Sequence, residues 1–423
     1  MKRFRISSAP VDATPTQRKN FFNVQIDAVG IGLANAASPF LPVFLTRLGA
    51  SNFEVGLLTS MPGFTGLIMA LFVGRFLQRQ RNVVPWFSRA RLLVVSAYAA
   101  TGLAGFLVPE EYLIPTILVI WALATLPQTT VAVGFSVVMN AVAGPTHRYE
   151  LMSRRWSILG LTSALTVAVA GQVLDKINFP INYQLVFLGL SVGGLVSYYF
   201  SSHIELPDVV PPIPAVGVPV KQRLKQYAYL ILSHDDFVRI SIKRLVFMTG
   251  TMLATPLFPL YFVREVKASD AWIGAINMAQ TAVLLIGYFL WTKESKLRGS
   301  RFVLLWTTLG ISLYPALVAT TLRVEFIVLL AGLAGIFQAG VDLVFFDELM
   351  KTIPVEHSAT FVSLAQSLQY LSAVIAPTLG AFLATYIGLG GALLVSAGIR
   401  FAGFLLFALW NPKSEQDLDT ASP

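Results

Sequence analysis

The chain has 423 residues, of which 55% are hydrophobic and only 13% charged, and its formal charge is +9. A soluble domain carries roughly 25% charged residues, so this composition excludes a water-soluble globule and indicates an integral membrane protein. The sequence contains no cysteine, which excludes disulfides, thiolate metal sites and cysteine nucleophiles.

Twelve apolar segments are each long enough to cross a hydrocarbon core, which needs about 20 helical residues. They lie at 21–46, 53–73, 84–108, 112–140, 153–175, 183–202, 237–263, 271–291, 301–321, 325–349, 358–386 and 389–410. They form an N-terminal set of six at 21–202 and a C-terminal set at 237–410, flanked by tails at 1–20 and 411–423. The predicted fold class is an all-α integral membrane protein with twelve transmembrane helices in two six-helix bundles.

The basic residues mark one side of these segments. With the N-terminus in the cytoplasm, the cytoplasmic segments hold 25 of the 31 Lys and Arg residues, and five lie on the other side. Short loops rich in Lys and Arg remain cytoplasmic, so both termini are predicted to lie in the cytoplasm, with the protein in the inner (plasma) membrane. Topology and anionic lipid explain the positive charge, and no nucleic-acid partner is expected.

The longest polar segment, 203–236, links the two bundles. It opens with LPDVVPPIPAVGVP, which predicts an extended cytoplasmic linker. The stretch KQRLKQYAYLIL follows, with its apolar residues on one helical face. This pattern fits either a short helix on the membrane surface or an extension of span 7.

A ten-residue phrase occurs twice, as SPFLPVFLTR at 38–47 and as TPLFPLYFVR at 255–264. Two prolines and an arginine recur 217 positions later: Pro39 with Pro256, Pro42 with Pro259, and Arg47 with Arg264. A proline costs an ordinary helix interior about 3 kcal/mol, whereas a transmembrane bundle can satisfy the backbone groups that it frees. The repeat therefore predicts matched bends in spans 1 and 7 of two pseudo-symmetric bundles with parallel orientation.

Two six-span halves, the middle loop and the segment SPFLPVFLTRLGASNFEVGLL resemble bacterial members of the major facilitator superfamily of secondary transporters. That family's loop after span 2 has the pattern G-x-x-x-D-R-x-G-R-R. Here it reads GRFLQRQRN, so Gly74 and Arg79 match while Gln78 replaces the acid. The proline-containing span-5 motif of some drug/proton antiporters is replaced by AVAGQVLD. The resemblance implies two bundles that rock about a midplane cavity lined by spans 1, 4, 7 and 10.

Two aspartates lie inside spans, where an ionisable group is expensive and indicates function. Asp27 in span 1 and Asp342 in span 10 are candidates for proton coupling, because a desolvated carboxylate can titrate near neutral pH. The alternative for each is a permanently ionised pair with a basic residue. Arg244 occupies the position in span 7 that matches Asp27, and either reaches the membrane surface or acts at the cavity mouth, where it attracts an anion or pairs with Asp27. Arg400 in span 12, a peripheral span in this family, is predicted to tie that span to its own half, with Asp342 as a candidate partner.

Polar and aromatic residues within the spans are candidates for the substrate cavity, although such residues also join helices. They are Asn23, Asp27, Asn35, Trp121, Gln128, Trp156, Asn277, Gln280, Asp342, Gln366 and Tyr370. This mixture of amides, hydroxyls and aromatic rings favours a neutral or weakly charged small organic solute.

Clusters of opposite charge end span 10 and begin span 5. They are Asp347 and Glu348 on one side, and Arg148, Arg154 and Arg155 on the other. Because these spans meet at the inner gate in this family, the resemblance predicts salt bridges between the halves in the outward-open state. Ordinary solvation at the interface is the alternative.

No catalytic motif occurs among the four histidines or elsewhere, so neither an enzyme nor a cofactor or metal site is expected. The predicted function is secondary active transport of a small organic solute by alternating access, with protons as the hypothetical coupling ion. The protein is expected to work as a monomer in the lipid bilayer. The alternatives are an efflux antiporter for drugs or lipophiles and a non-transporting receptor or scaffold of the same fold.

Overall fold

The computed structural model describes residues 13–143, 148–206, 234–352 and 358–410, and within these ranges the chain is helical without strands. The helices are Pro15–Asn35, Phe40–Arg47, Asn52–Gln78, Val84–Leu107, Glu110–Ala143, Arg148–Lys176, Ile181–Ser202, Asp235–Ala254, Leu257–Arg264, Asp270–Arg298, Ser300–Ala319, Val324–Thr352 and Ser358–Leu409. The predicted surface helix of the linker, at 221–232, lies outside the described residues.

Eleven helical segments in these ranges are long and apolar enough to cross a membrane, and the last of them runs over Ala365–Leu409. It is interrupted at Gly388, where φ is 74° and ψ is 166°, a conformation that glycine adopts without strain. The chain reverses there, because Gly380 and Ser396 both contact span 7 within a few residues of each other. The two arms are spans 11 and 12, and the twelve crossings predicted from the sequence are confirmed.

The repeated prolines bend spans 1 and 7 as predicted. Span 1 breaks between Asn35 and Phe40, with Pro39 capping the second helix. Span 7 breaks between Ala254 and Leu257, with Pro256 in the same role. Proline has no N–H to donate and its ring clashes with the preceding turn, so each helix ends and a new one begins at an angle.

Span 1 begins earlier than the sequence predicted, at Pro15 rather than at residue 21. Thr14 and Gln17 form a capping box, in which each side chain accepts a hydrogen bond from the backbone N–H of the other. The box satisfies two backbone donors of the first turn. The polar residues before position 21 are therefore helical although they are not part of the apolar segment.

The two halves meet along span 2 with span 11 and along span 5 with span 8, where glycines allow close approach. A Cβ atom on Gly56 would lie 2.7 Å from the Cβ of Ala381, and one on Gly171 would lie 2.7 Å from the carbonyl oxygen of Asp270. We call the membrane face that carries this end of span 8 the distal face, and the face where Pro15 and Leu409 lie the terminal face. Near the terminal face, the described part of the chain leaves open space beside Gly74 of span 2. The halves are therefore packed closely near the distal face.

We expect Gly171→Leu to destabilise the protein by about 1–3 kcal/mol, because the new side chain has to displace backbone of span 8. The measurement is the thermal unfolding temperature in detergent. Gly189→Leu in span 6 is the matched control, since a Cβ there meets no described atom within 4 Å. Equal unfolding temperatures for the two variants would contradict the tight contact between spans 5 and 8.

Candidate functional site

A cavity of about 580 Å³ lies between the two halves. Its volume falls within the roughly 300–1,000 Å³ of small-ligand sites. Aromatic rings and amides from both halves form its polar and flat surfaces: Tyr98, Trp121, Phe258, Phe262, Tyr314, Asn35, Gln128, Asn277, Gln280 and Gln338. Such walls can stack against an organic ring or chain and direct hydrogen bonds to its polar groups.

The bends of spans 1 and 7 form two opposite parts of this wall. Pro39 and Pro42 line it from span 1, and Thr255 and Pro259 line it from span 7. The repeated phrase therefore places irregular backbone at the cavity rather than against lipid. Only there can water or solute satisfy the groups that the prolines leave free.

On the distal face, Arg47 joins the first half to the second. Its Nε donates to Oδ1 of Asp270 at 2.9 Å, and its Nη2 donates to the carbonyl oxygen of Ala268 at 2.9 Å. The Tyr183 hydroxyl donates to the same oxygen of Asp270, which is only 5% exposed. Charge-assisted hydrogen bonds in such a partly buried place are stronger than a surface pair.

Arg264 makes the equivalent contact in the opposite direction. Its Nη1 donates to Oδ1 of Asn52 at 2.6 Å, and its Nη2 donates to the carbonyl oxygen of Ala50. Each arginine ends the repeated phrase, and each binds the turn that precedes span 2 or span 8 of the other half. We call these two reciprocal contacts the arginine clasp; its members are Arg47, Ala268, Asp270, Arg264, Ala50 and Asn52.

Three of the residues predicted for an inner gate, Asp347, Glu348 and Arg155, make contacts within their own halves. Lys351 pairs with Asp347 at 2.8 Å and with Glu348 at 3.1 Å, and Ser300 donates to Glu348. Arg155 lies near Asp27 in the first half. Arg154 is half-buried, and the side chain of Arg148 is outside the described part of the structure. The gate salt bridges are predicted for the outward-open state. Because the distal face is closed here, the described contacts belong to a different state and leave that prediction untested.

Asp27 lies in the interior of the first half and not in the cavity wall. It is fully buried, and it accepts hydrogen bonds from Arg91 and from the Ser197 hydroxyl at 2.6 Å. Arg155 lies 3.8 Å from its other oxygen and over the ring of Phe135. Asp27 thus joins spans 1, 3, 5 and 6, the ionised pairing that the sequence left as an alternative to coupling.

The other predicted cavity residues have mixed positions. Asn35, Trp121, Gln128, Asn277 and Gln280 line the cavity. Asn23 donates to the carbonyl oxygen of His203. The Arg155 guanidinium lies over the ring of Trp156, and Tyr370 lies beside Gly66 of span 2. Gln366 is exposed, and Arg79 follows the last residue of span 2.

Asp342 lies one helical turn from the cavity residue Gln338. It accepts a hydrogen bond from Nε2 of Gln338 at 2.8 Å and one from the Tyr288 hydroxyl at 3.0 Å. Both donors are neutral. Among the described residues, no cation pairs with Asp342, whereas Arg91 pairs with Asp27.

Arg400 lies in the cavity wall, which the sequence did not predict. Its Nη1 donates to the carbonyl oxygen of Ile311 at 3.3 Å, whereas Asp342, its suggested partner, binds Tyr288 and Gln338. Span 12 is peripheral, but Gly250 of span 7 leaves room for the side chain to pass. The pattern of span 12 contains no information about space beside span 7, so no local signal predicts this position of Arg400.

Two helical bundles with a ligand-sized cavity between them are the arrangement that alternating-access transporters use. Residues 240–423 match the family model described as the Major Facilitator Superfamily. No curated protein matches the sequence. The family match covers the second half of the chain and the shared fold extends over both halves, so the chain has the architecture of the transporters of this superfamily.

Several solved structures share this fold over nearly the whole chain. A bacterial homologue of the iron transporter ferroportin in an inward-facing state is 14% identical, with 93% of this chain and 98% of that chain covered and a TM-score of 0.71. The nucleoside transporter NupG is 10% identical, with coverages of 92% and 98% and a TM-score of 0.68. The peptide transporter POT is 15% identical, with both coverages 92% and a TM-score of 0.65. At these identities the likeness shows the fold and not the substrate.

We expect Asp27→Asn to destabilise the protein by about 3–5 kcal/mol, because it leaves two buried arginines without a carboxylate. Thermal unfolding in detergent measures this. Asp342→Asn is the control, since its neutral donors lose a hydrogen-bond acceptor but no buried cation loses its partner. An Asp27→Asn variant as stable as Asp342→Asn would show that the two arginines do not depend on this carboxylate, which would contradict its structural role.

Proposed function

We propose that the protein moves a small polar organic solute across the inner (plasma) membrane by alternating access, with both termini in the cytoplasm. One observation carries the proposal: the cavity lies between two halves that the arginine clasp joins at the distal face. A site accessible from one side at a time is the requirement for alternating access.

The distribution of basic residues supports the orientation. The segments that the sequence predicts to be cytoplasmic hold 25 of the 31 Lys and Arg residues, and the described ones among them lie toward the terminal face, so we assign this face to the cytoplasm. The described state is then open to the cytoplasm. The similarity to a structure named as inward-facing agrees with this assignment.

The opposite state requires that the clasp opens and that new contacts close the cytoplasmic side. Asp347 and Glu348 have their cation, Lys351, on the same helix, where it is exposed and replaceable. Arg148 and Arg154 of span 5 are the partners that we propose in the outward-open state. Arg155 is less suited to this role, because Asp27 and two aromatic rings already surround it.

The cavity itself limits the solute to a small organic molecule with polar groups. The similar structures are named as transporters of nucleosides, iron and peptides, so the fold leaves the substrate open. Amide side chains and aromatic rings on both sides suit hydrogen bonding and stacking. A purely lipophilic cargo would leave those amides without partners, which disfavours the alternative of lipophile efflux.

Alternating access predicts that a cysteine in the cavity reacts from one face. Because the chain has no native cysteine, Asn277→Cys gives a single reactive site without further changes. In oriented membrane vesicles, a membrane-impermeant maleimide should label it from the terminal face and only weakly from the distal face. Equal labelling from both faces in the wild-type background would contradict the proposed closure.

Opening the clasp should reverse this preference. Arg47→Gln with Arg264→Gln removes its charge-assisted hydrogen bonds, each contributing about 1 kcal/mol at a partly exposed site, so distal labelling of Asn277→Cys should rise roughly fivefold or more. Arg323→Gln, which removes an exposed arginine from a neighbouring turn, is the matched control. Unchanged distal labelling in the double variant would show that the clasp does not hold the closed face.

We propose Asp342 as the coupling carboxyl, because it lies beside the cavity and its described partners are neutral. Its protonation should then shift the balance between the two states. Labelling of Asn277→Cys is expected to differ between mildly acidic and mildly alkaline pH, and Asp342→Asn should remove the difference. A pH dependence that survives Asp342→Asn would assign coupling to another group.

A further inference from the structure

Arg400 is a buried cation whose hydrogen bonds are incomplete. It is 4% exposed, it lines the cavity, and its one described hydrogen bond is a long one from Nη1 to the carbonyl oxygen of Ile311. Its Nε is buried and has no hydrogen-bond partner among the described atoms. A guanidinium group has five donors in a planar fork, so most of this one's binding capacity is unused.

The described structure supplies no counter-charge at this position. No carboxylate belongs to the described cavity wall, and Asp342 is bound to Tyr288 and Gln338. The Tyr314 hydroxyl is the ionisable group that lies close enough to interact. A buried charge with neutral partners alone is costly, particularly inside a membrane.

A second buried arginine, Arg91, has a counter-charge and serves a structural role. Arg91 is as buried as Arg400, at 3% exposure, yet it binds Asp27 and lies over the ring of Phe87, 4.2 Å from its centroid. The two arginines therefore differ in partners and not in burial. Only Arg400 borders a space large enough for a ligand.

Several elements hold Arg400 at the cavity. A Cβ on Gly250 of span 7 would lie 2.9 Å from Cγ of Arg400, so only glycine leaves room for the arginine stem. The Ser396 hydroxyl donates to the carbonyl oxygen of Gly250 at 2.7 Å and fixes span 12 against span 7. Ile311 and Tyr314 approach from span 9. This packing places the guanidinium group of Arg400 of span 12 in the wall of the central cavity.

We propose that Arg400 binds the anionic group of the transported solute, so that the substrate is a small organic carboxylate or phosphate ester. This inference rests on the proposed transport function and narrows it. The anion completes the hydrogen bonds of the guanidinium, and the remaining part of the solute lies against the amides and aromatic rings of the opposite wall. The polar residues of the sequence favoured a neutral or weakly charged solute, and this inference selects a charged one.

The test compares matched ligands on the purified full-length protein by thermal unfolding. Each set contains a small organic carboxylate, its primary amide and the corresponding phosphate ester. At least one acid should raise the unfolding temperature, with little effect from its amide, and the stronger of the carboxylate and phosphate arms identifies the anionic group. Arg400→Gln should weaken that binding by roughly 10- to 100-fold, and Arg400→Lys should weaken it less.

The unfolding temperature without ligand is a second measurement. If the role of Arg400 were purely structural, replacing it would lower this temperature. Arg400→Gln should unfold at the same or a higher temperature than the wild type, since it removes an unpaired buried charge. Arg91→Gln is the matched control and should unfold at a lower temperature, since Asp27 loses its partner. A fall on Arg400→Gln as large as that on Arg91→Gln would overturn the proposal.

Three ligand results would also overturn it: no acid in the sets stabilises the wild type, an acid stabilises Arg400→Gln as well as the wild type, or an amide binds as tightly as its acid. A neutral ligand that binds both proteins equally would leave the transport function intact and remove only Arg400 from recognition. Failure of the one-sided cysteine labelling would instead remove the transport proposal itself.

Discussion

Hydrocarbon offers no hydrogen bonds, so every polar backbone group and every charge inside the membrane needs a partner within the protein or in a water-filled cavity. This constraint accounts for the helical chain and for the positions of its irregular parts. The breaks at Pro39 and Pro256 lie at the cavity, where the freed backbone groups can be satisfied. Asp27 lies where two arginines and a serine surround it. Arg400 departs from the same rule, and for that reason it points to a ligand.

Duplication of a six-helix unit explains how one short phrase forms both a bend and a closure. The phrase ends in an arginine on the distal face, so two copies related by pseudo-symmetry place two arginines opposite each other's following turns. The arms are not equivalent, because Arg47 meets the carboxylate of Asp270 whereas Arg264 meets the amide of Asn52. Tyr183 adds a further hydrogen bond to the first arm alone. The ionic arm should therefore contribute more to closing the distal face.

The sequence was sufficient for the fold because length, apolar content and matched prolines are local signals. It also selected Asn35, Trp121, Gln128, Asn277 and Gln280, which line the cavity, because polar side chains within a span are unfavourable against lipid. It did not separate these from Asn23, whose partner is a carbonyl oxygen at the end of span 6. The position of Arg400 depends on Gly250, 150 residues earlier, and no pattern within span 12 contains that information. The gate residues depend on the conformational state, which a sequence does not specify.

An anionic substrate and a coupling role for Asp342 support each other. Gln338 lines the cavity and donates to Asp342, so the carboxylate is one side chain away from the bound solute. Two negative charges placed this close repel each other. Protonation of Asp342 removes that repulsion while Arg400 keeps its charge. By linkage, the solute then favours protonation of Asp342 as much as the proton favours binding of the solute. Reciprocal coupling of this kind would move a proton and an organic anion in the same direction, with Arg400 of the described cavity wall as the fixed cation and Asp342 as the proposed titratable carboxyl.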